Sequence, residues 1–391
     1  MPRLPVPAAV EAKLRTAARL RVPRPEPGLI GVRAMHHASH PAPGVSASQQ
    51  ARLTPTRQQP MPTRNLVSPV PAHQPRQPYA TTTNASSPSQ LPPALDGPEP
   101  IIHPVFETQT STYQYLVADP ATKTAVIIDP VLDYDPTKRQ VSTQAADELL
   151  SLAREKGYTI SHILETHAHA DHLTASFYLQ RKLEERQGTK PPVGIGRRIG
   201  QVQTMFGKRY GIDSEEYDGV FDILWEDDAE FKVGELRGRV LHLPGHTPDH
   251  VGYWIGDNVF CGDSLFHPSI GTARCDFPGG SAYAMYSSAR KLLSMPDHVK
   301  IWVGHDYPDE SRAGPEPMAT VGEHRARNKH VREGVSEEEF VAMRRERDSS
   351  LSAPRLVHES LQVNIRAGHL PKANGEGMRL FHLPVKIPEG L

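Results

Sequence analysis

Four potential metal ligands fall within six residues in the segment Thr166-His167-Ala168-His169-Ala170-Asp171-His172. Imidazole and carboxylate are the donors that zinc, iron and manganese share. The alanines between them are small, so the loop can fold tightly around an ion. A lone histidine is ordinarily a surface residue or a packed one. Three with an aspartate at this spacing rarely arise without a metal. Three later residues extend the set: His246 in Leu243-Pro244-Gly245-His246-Thr247, Asp263 after Cys261-Gly262, and His305 in Val303-Gly304-His305-Asp306-Tyr307. Each has a glycine beside it, which permits close backbone approach.

The elements around these residues explain how they could meet. Residues 160–165 (ISHILE) read as a short buried strand ending at the loop, and Leu173 to Glu185 as an amphipathic helix leaving it. The strands expected at 239–243, 251–255, 258–262 and 300–304 place His246, Asp263 and His305 at strand ends, where open α/β sheets carry their sites. Residues 112–118 and 123–129 read as strands joined by a turn at 119–122, from their β-branched and aromatic content. Ala145 to Arg154, Ala282 to Leu293, Gly322 to Val331 and Ser336 to Arg347 read as helices. Strands alternating with helices in two similar halves predict an α/β sandwich, sheets inside and helices outside.

The chain has 391 residues, 37% hydrophobic and 23% charged, enough for one large domain or two modest ones. Its net charge of −1 gives no basic excess to suggest nucleic acid. Residues 1–100 nevertheless carry eleven Lys/Arg against four Asp/Glu, twenty of the 38 prolines, and one aromatic, Tyr79. Such a stretch buries too little apolar surface to offset its ordering entropy, so a disordered extension over 1–100 and a catalytic domain over 101–391 are expected. Val6 to Arg21 is Arg-rich, acid-poor and amphipathic, the character of a mitochondrial transit peptide. An unstructured tail with incidental arginines is the plainer alternative, with a cytoplasmic protein. Cys261 and Cys275 make neither a disulfide framework nor a zinc knuckle, and no apolar run nears the ~18 residues of a membrane span. A soluble, intracellular protein is expected.

The ligand series HxHxDH, then a His, an Asp and a final His after strands, resembles that of the metallo-β-lactamase superfamily over about residues 101–370. The resemblance implies a four-layer αββα sandwich with the site at one edge of the two sheets. The segments ETHAHADHLTAS (165–176), LPGHTPDHVGY (243–253), CGDSLFHPSIGTARCDFPGG (261–280), GHDYP (304–308), TVGEHRARN (320–328) and LQVNIRAG (361–368) resemble the persulfide (sulfur) dioxygenases.

That resemblance implies one Fe(II) per chain held by His167, His246 and Asp263, the 2-His-1-carboxylate arrangement that leaves positions for substrate and O2. It implies oxidation of glutathione persulfide to sulfite and glutathione, with His169, Asp171, His172 and His305 orienting ligands and ordering water, and a homodimer by analogy. It also implies that Arg274, Tyr307 and Arg325 contact glutathione, Arg offering a planar fork for carboxylates. All seven ligands of a dinuclear zinc hydrolase of the glyoxalase II type are present too, so ligand identity leaves that alternative, with two Zn, open. A protein that keeps the fold without catalysis is disfavoured by the intact ligand set.

Overall fold

The computed structural model describes residues 97–308, 310 and 312–388, all within one compact unit, Thr82–Leu391. The expected N-terminal extension and its transit-peptide character lie outside the described residues.

In chain order the elements are β1 (Ile101–Glu107), β2 (Thr112–Ala118), β3 (Thr124–Ile128), β4 (Val131–Asp135), β5 (Gln140–Ser142), α1 (Gln144–Lys156), β6 (Thr159–Leu164), β7 (Leu173–Thr174), α2 (Ser176–Gln187), β8 (Val193–Gly196) and α3 (Ile199–Tyr210). There follow β9 (Ile223–Trp225), β10 (Glu230–Val233), β11 (Leu236–His242), β12 (Val251–Ile255), β13 (Asn258–Phe260), α4 (Ala282–Leu293), β14 (Lys300–Trp302), β15 (Met318–Thr320), α5 (Val321–Arg327), α6 (Glu337–Ser349) and α7 (Val357–Asn364). Two six-stranded sheets result, ordered β1-β2-β3-β6-β8-β9 and β10-β11-β12-β13-β14-β15, with a small ribbon β5-β4-β7.

Strand β2 shows why the sheets stack. Every one of its seven residues is buried, so both of its faces must be covered. Tyr113, Tyr115 and Val117 meet Val240, Tyr253, Ile255 and Phe260 of the second sheet. The alternate residues Leu116 and Ala118 meet Leu149 of α1, Leu179 of α2 and Phe206 of α3 on the other side. On the far side of the second sheet, Leu241, Trp254 and Val259 pack against Met285 and Leu292 of α4 and Phe340 of α6. The layers are therefore helix, sheet, sheet, helix, as expected. Among the described residues no helix is long and apolar enough to cross a membrane.

Most boundaries shift from expectation by one to three residues, and two of the departures have a visible cause. Leu173 and Thr174 do not open the helix: they pair with Leu132 and Val131 as β7, and α2 starts at Ser176. The Thr174 backbone N–H instead donates to the side-chain oxygen of Asn364, a contact nearly two hundred residues away in sequence. Helix α5 stops at Arg327, short of Val331, because Asn328 turns extended and its side-chain oxygen accepts the N–H groups of His330 and Val331.

Candidate metal centre

Every expected ligand sits just beyond a strand. Residues 167–172 follow β6 of the first sheet, whereas His246, Asp263 and His305 follow β11, β13 and β14 of the second. The two sheets are joined here directly. Tyr113 N–H donates to Gly304 O at 2.8 Å, and Thr112 bridges to His305. Space at this edge is tight. A Cβ on Gly304 would stand 2.6 Å from Asp263 Oδ1, and one on Gly245 (φ +146°) 2.4 Å from Met285 Cα. Both positions therefore demand glycine.

The ligand atoms of His167, His246 and Asp263 all lie within 4.8 Å of one another, as do those of His169, Asp171 and His172. Hydrogen bonds on the opposite ring edge set the tautomers. Thr166 Oγ1 donates to Asp129 Oδ2 (2.8 Å), so it accepts the Nδ1–H of His167 at 2.9 Å. His246 Nδ1–H donates to the Arg274 carbonyl at 2.8 Å. Both rings thus turn a bare Nε2 inward, as metal-binding imidazoles do. His167 Nε2, His169 Nδ1, His172 Nε2 and Asp263 Oδ1 are buried without a hydrogen-bond partner. Left unpartnered, these buried polar atoms would cost several kcal/mol together, and metal bound by the two ligand groups would satisfy them. The residues therefore fit a metal.

Electrostatics accord with this. Burial, reinforced by the imidazoles of His169, His250, His246 and His305, drives the His167 pKa well down and keeps it neutral. Burial would raise the Asp171 pKa, but His305 and His172 outweigh it and hold the carboxylate far below its usual range. Burial would lower the pKa of His305, and the carboxylates of Asp263 and Asp171 reverse that, the latter at 3.2 Å from Nε2.

Three supporting residues are not legible as ligands. Asp129 directly follows β3 at φ +50°, a strained conformation for a non-glycine residue, and places its carboxylate on Thr166 N–H (2.7 Å), Thr166 Oγ1 and His169 Nε2 (3.1 Å). Asp249 accepts the Ala168 N–H at 2.9 Å, and His250 Nε2 accepts the Asp263 N–H at 3.0 Å. Asp129 sits in an IIDP stretch that reads as a strand end and turn. Its strand-end position, shared with every ligand, was the available clue.

A cleft of about 450 Å3 opens onto Asp171, His246, Asp263 and His305. Tyr307 lines it and stacks on the His305 ring at 5.8 Å. Arg274 lines it as well, but its guanidinium is taken by Asp276 (2.5 and 2.6 Å) and Ser352 O (2.7 Å). It is the Arg274 backbone carbonyl that serves the centre. Arg325 is not brought there. Its side chain donates to Leu293 O, Met295 O and Asp297, tying α5 to the end of α4. Cys261 and Cys275 are buried, and burial pushes both thiols up to about 12, so neither is a thiolate nucleophile near neutral pH.

Comparison with known proteins agrees with this geometry. A beta-lactamase hydrolase-like protein of Xylella fastidiosa is 41% identical over 74% of the chain, which spans only 66% of that relative's length. Glyoxylase B2 of Dictyostelium discoideum is 42% identical over 71% of the chain and 94% of its own. The human mitochondrial persulfide dioxygenase ETHE1 is 28% identical over 68% of the chain and 89% of its own. The crystal structure of ETHE1 from Myxococcus xanthus superposes with a TM-score of 0.53 at 31% identity, covering 69% of this chain and all of that one. Residues 108–305, which contain every ligand of the centre, match the Metallo-beta-lactamase superfamily, and the chain belongs to that superfamily.

Proposed function

We propose that the enzyme is a glutathione-dependent persulfide dioxygenase, converting glutathione persulfide, O2 and water to glutathione, sulfite and two protons. The observation that carries this reading is the close grouping of His167, His246 and Asp263, a 2-His-1-carboxylate set opening onto a cleft. The likeness to the Myxococcus and human ETHE1 proteins supports it. Fe(II) held by the three residues would supply adjacent open positions for persulfide and O2. The chain's own groups do the rest. Thr166 and the Arg274 carbonyl fix the two imidazoles. Asp171 and His305 pair beside Asp263, where they can order the attacking water. Phe266 and Ile270 give the cleft an apolar wall beside the centre.

A dinuclear zinc thioester hydrolase is the second reading. The second ligand group, His169, Asp171 and His172, favours it, as does the likeness to Glyoxylase B2. Metal analysis of anaerobically purified protein, with O2 uptake and sulfite release on glutathione persulfide, separates the two. Close to one iron per chain with O2 consumption is expected. Two zinc ions per chain, with hydrolysis of S-lactoylglutathione and no O2 uptake, would establish the hydrolase.

The cleft also bears on the thiol carrier. Of its arginines, Arg274 and Arg344 are paired with Asp276 and Asp348. Arg347 and Arg355 line the same cleft, are exposed, and have no ion-pair partner among the described residues. They are the cations available for the carboxylates of glutathione. Replacing each by Gln should raise KM for the glutathione substrate about tenfold or more with little change in kcat, the loss of one charge-assisted hydrogen bond. Initial-rate kinetics check this, and an unchanged KM in both variants would assign carrier recognition elsewhere.

A further inference from the structure

We propose that His250 is a positioning residue of the metal centre, its ring acceptor fixing the backbone from which the Asp263 ligand projects; this rests on the reading that His167, His246 and Asp263 hold the metal. His250 is fully buried, and it belongs to none of the side-chain groups placed to hold a metal among the described residues. Its Nε2 accepts the backbone N–H of Asp263 at 3.0 Å, which leaves the ring proton on Nδ1. Its face stacks on the His167 ring, with centroids 4.8 Å apart and planes 25° off parallel. The ring therefore supports the His167 imidazole from behind while holding the peptide from which the Asp263 carboxylate projects.

The surrounding backbone is built to admit it. Gly262, directly before Asp263, adopts φ +48°, and a Cβ there would lie 2.9 Å from His250 Nε2 and 2.6 Å from Thr166 Oγ1. Only glycine lets the Asp263 amide come down onto the imidazole. The backbone on either side of His250, just before β12, is pinned. Asp249 takes the Ala168 N–H, and Val251 N–H donates to Thr166 O at 2.8 Å. His250 is thus locked to the same loop that carries His167, and any drift of Asp263 relative to His167 must break the Asp263 N–H hydrogen bond or the stack. A ligand set held in place before the ion arrives binds it more tightly, because ordering is not charged against binding.

The test compares His250→Phe with His250→Gln in the full-length chain. Phe keeps an aromatic face against His167 and removes the acceptor. Gln places a carbonyl oxygen near the former Nε2 and removes the stack. Metal-free protein is titrated with Co(II), followed by its visible absorption bands and by chelator competition. If the acceptor fixes Asp263, Phe weakens Co(II) binding about 10- to 100-fold and shifts the bands, while Gln stays within about threefold of the parent with bands restored. Equal binding by parent and Phe variant, or equal losses in Phe and Gln, overturns the proposal, since a space-filling role predicts no rescue. Should Phe fail to fold, Gln alone decides: loss of its affinity or of the parental bands overturns the assignment. A parent that binds no Co(II) would remove the centre itself, a failure distinct from that of His250.

Discussion

Asp263→Asn is expected to abolish activity while leaving the chain folded. The substitution keeps an oxygen at the ligand position but removes the charge that offsets the metal. Asp263 is also the residue between the two ligand groups: its Oδ2 lies 3.6 Å from His246 Nε2 and its Oδ1 3.6 Å from His305 Nε2. Metal content should fall well below stoichiometric, and kcat/KM by at least about 10³-fold, equivalent to ~4 kcal/mol of lost transition-state stabilisation. The companion pair His167→Ala and His169→Ala separates mononuclear from dinuclear chemistry. In a mononuclear site His169 is anchored to Asp129 and Glu165 and is not a ligand, so its loss should leave iron partly bound. Equal metal loss in both variants would favour two ions. Elemental analysis of the three variants reads all of this without knowledge of the substrate.

Arg344→Met should produce the largest loss of stability. Arg344 is among the largest fully buried side chains, paired with Asp348 at 2.8 Å and donating to the carbonyls of Thr272 and Ala273. Asp348 in turn accepts the Cys275 N–H at 2.8 Å. Removing the guanidinium strands a buried carboxylate, at a cost of about 3–5 kcal/mol. For a domain of this size that lowers Tm by roughly 10 °C. The damage should reach the centre as well, because residues 272–275 carry the Arg274 carbonyl that orients His246. A thermal scan of metal-free protein measures the first effect and Co(II) titration the second. A loss under about 1 kcal/mol would mean that solvent enters and solvates Asp348.

How much of this the sequence made legible depends on where each signal lies. Residues 112–118 and 251–255 were readable to the residue because each strand is buried throughout, and 282–293 because its apolar residues recur at helical spacing. The loop at 167–172 was readable because its ligands are neighbours in the chain. Helix α3 was not read, although Ile199, Val202, Phe206 and Tyr210 form its buried stripe. Gly200 and Gly207 interrupt that stripe as breakers would. Gly207 is there for packing: a Cβ would strike the Tyr217 ring at 2.5 Å. Asp129 and His250 depend on partners 37 and 13 residues away, and no local pattern encodes such a contact. Arg274 was singled out for its side chain and contributes its carbonyl. An acid two residues on, Asp276, was the signal that its charge was already spent.

The bridge between Thr112 and His305, and the Tyr113–Gly304 bond beside it, also set the order of events when the chain is made. These contacts close a loop of more than 190 residues, so they form after the local hairpins and helices, and folding of this topology is slow. A nascent chain emerging from the ribosome presents the imidazoles of 167–172 long before Asp263 and His305 follow. At that stage the loop is a bare imidazole-rich chelator, and such sites rank divalent ions by the Irving–Williams order, which places Fe(II) near the bottom. Correct metallation therefore belongs to the finished fold. The supply of metal in the compartment where synthesis ends, rather than the affinity of the first ligands to appear, decides which ion the enzyme carries.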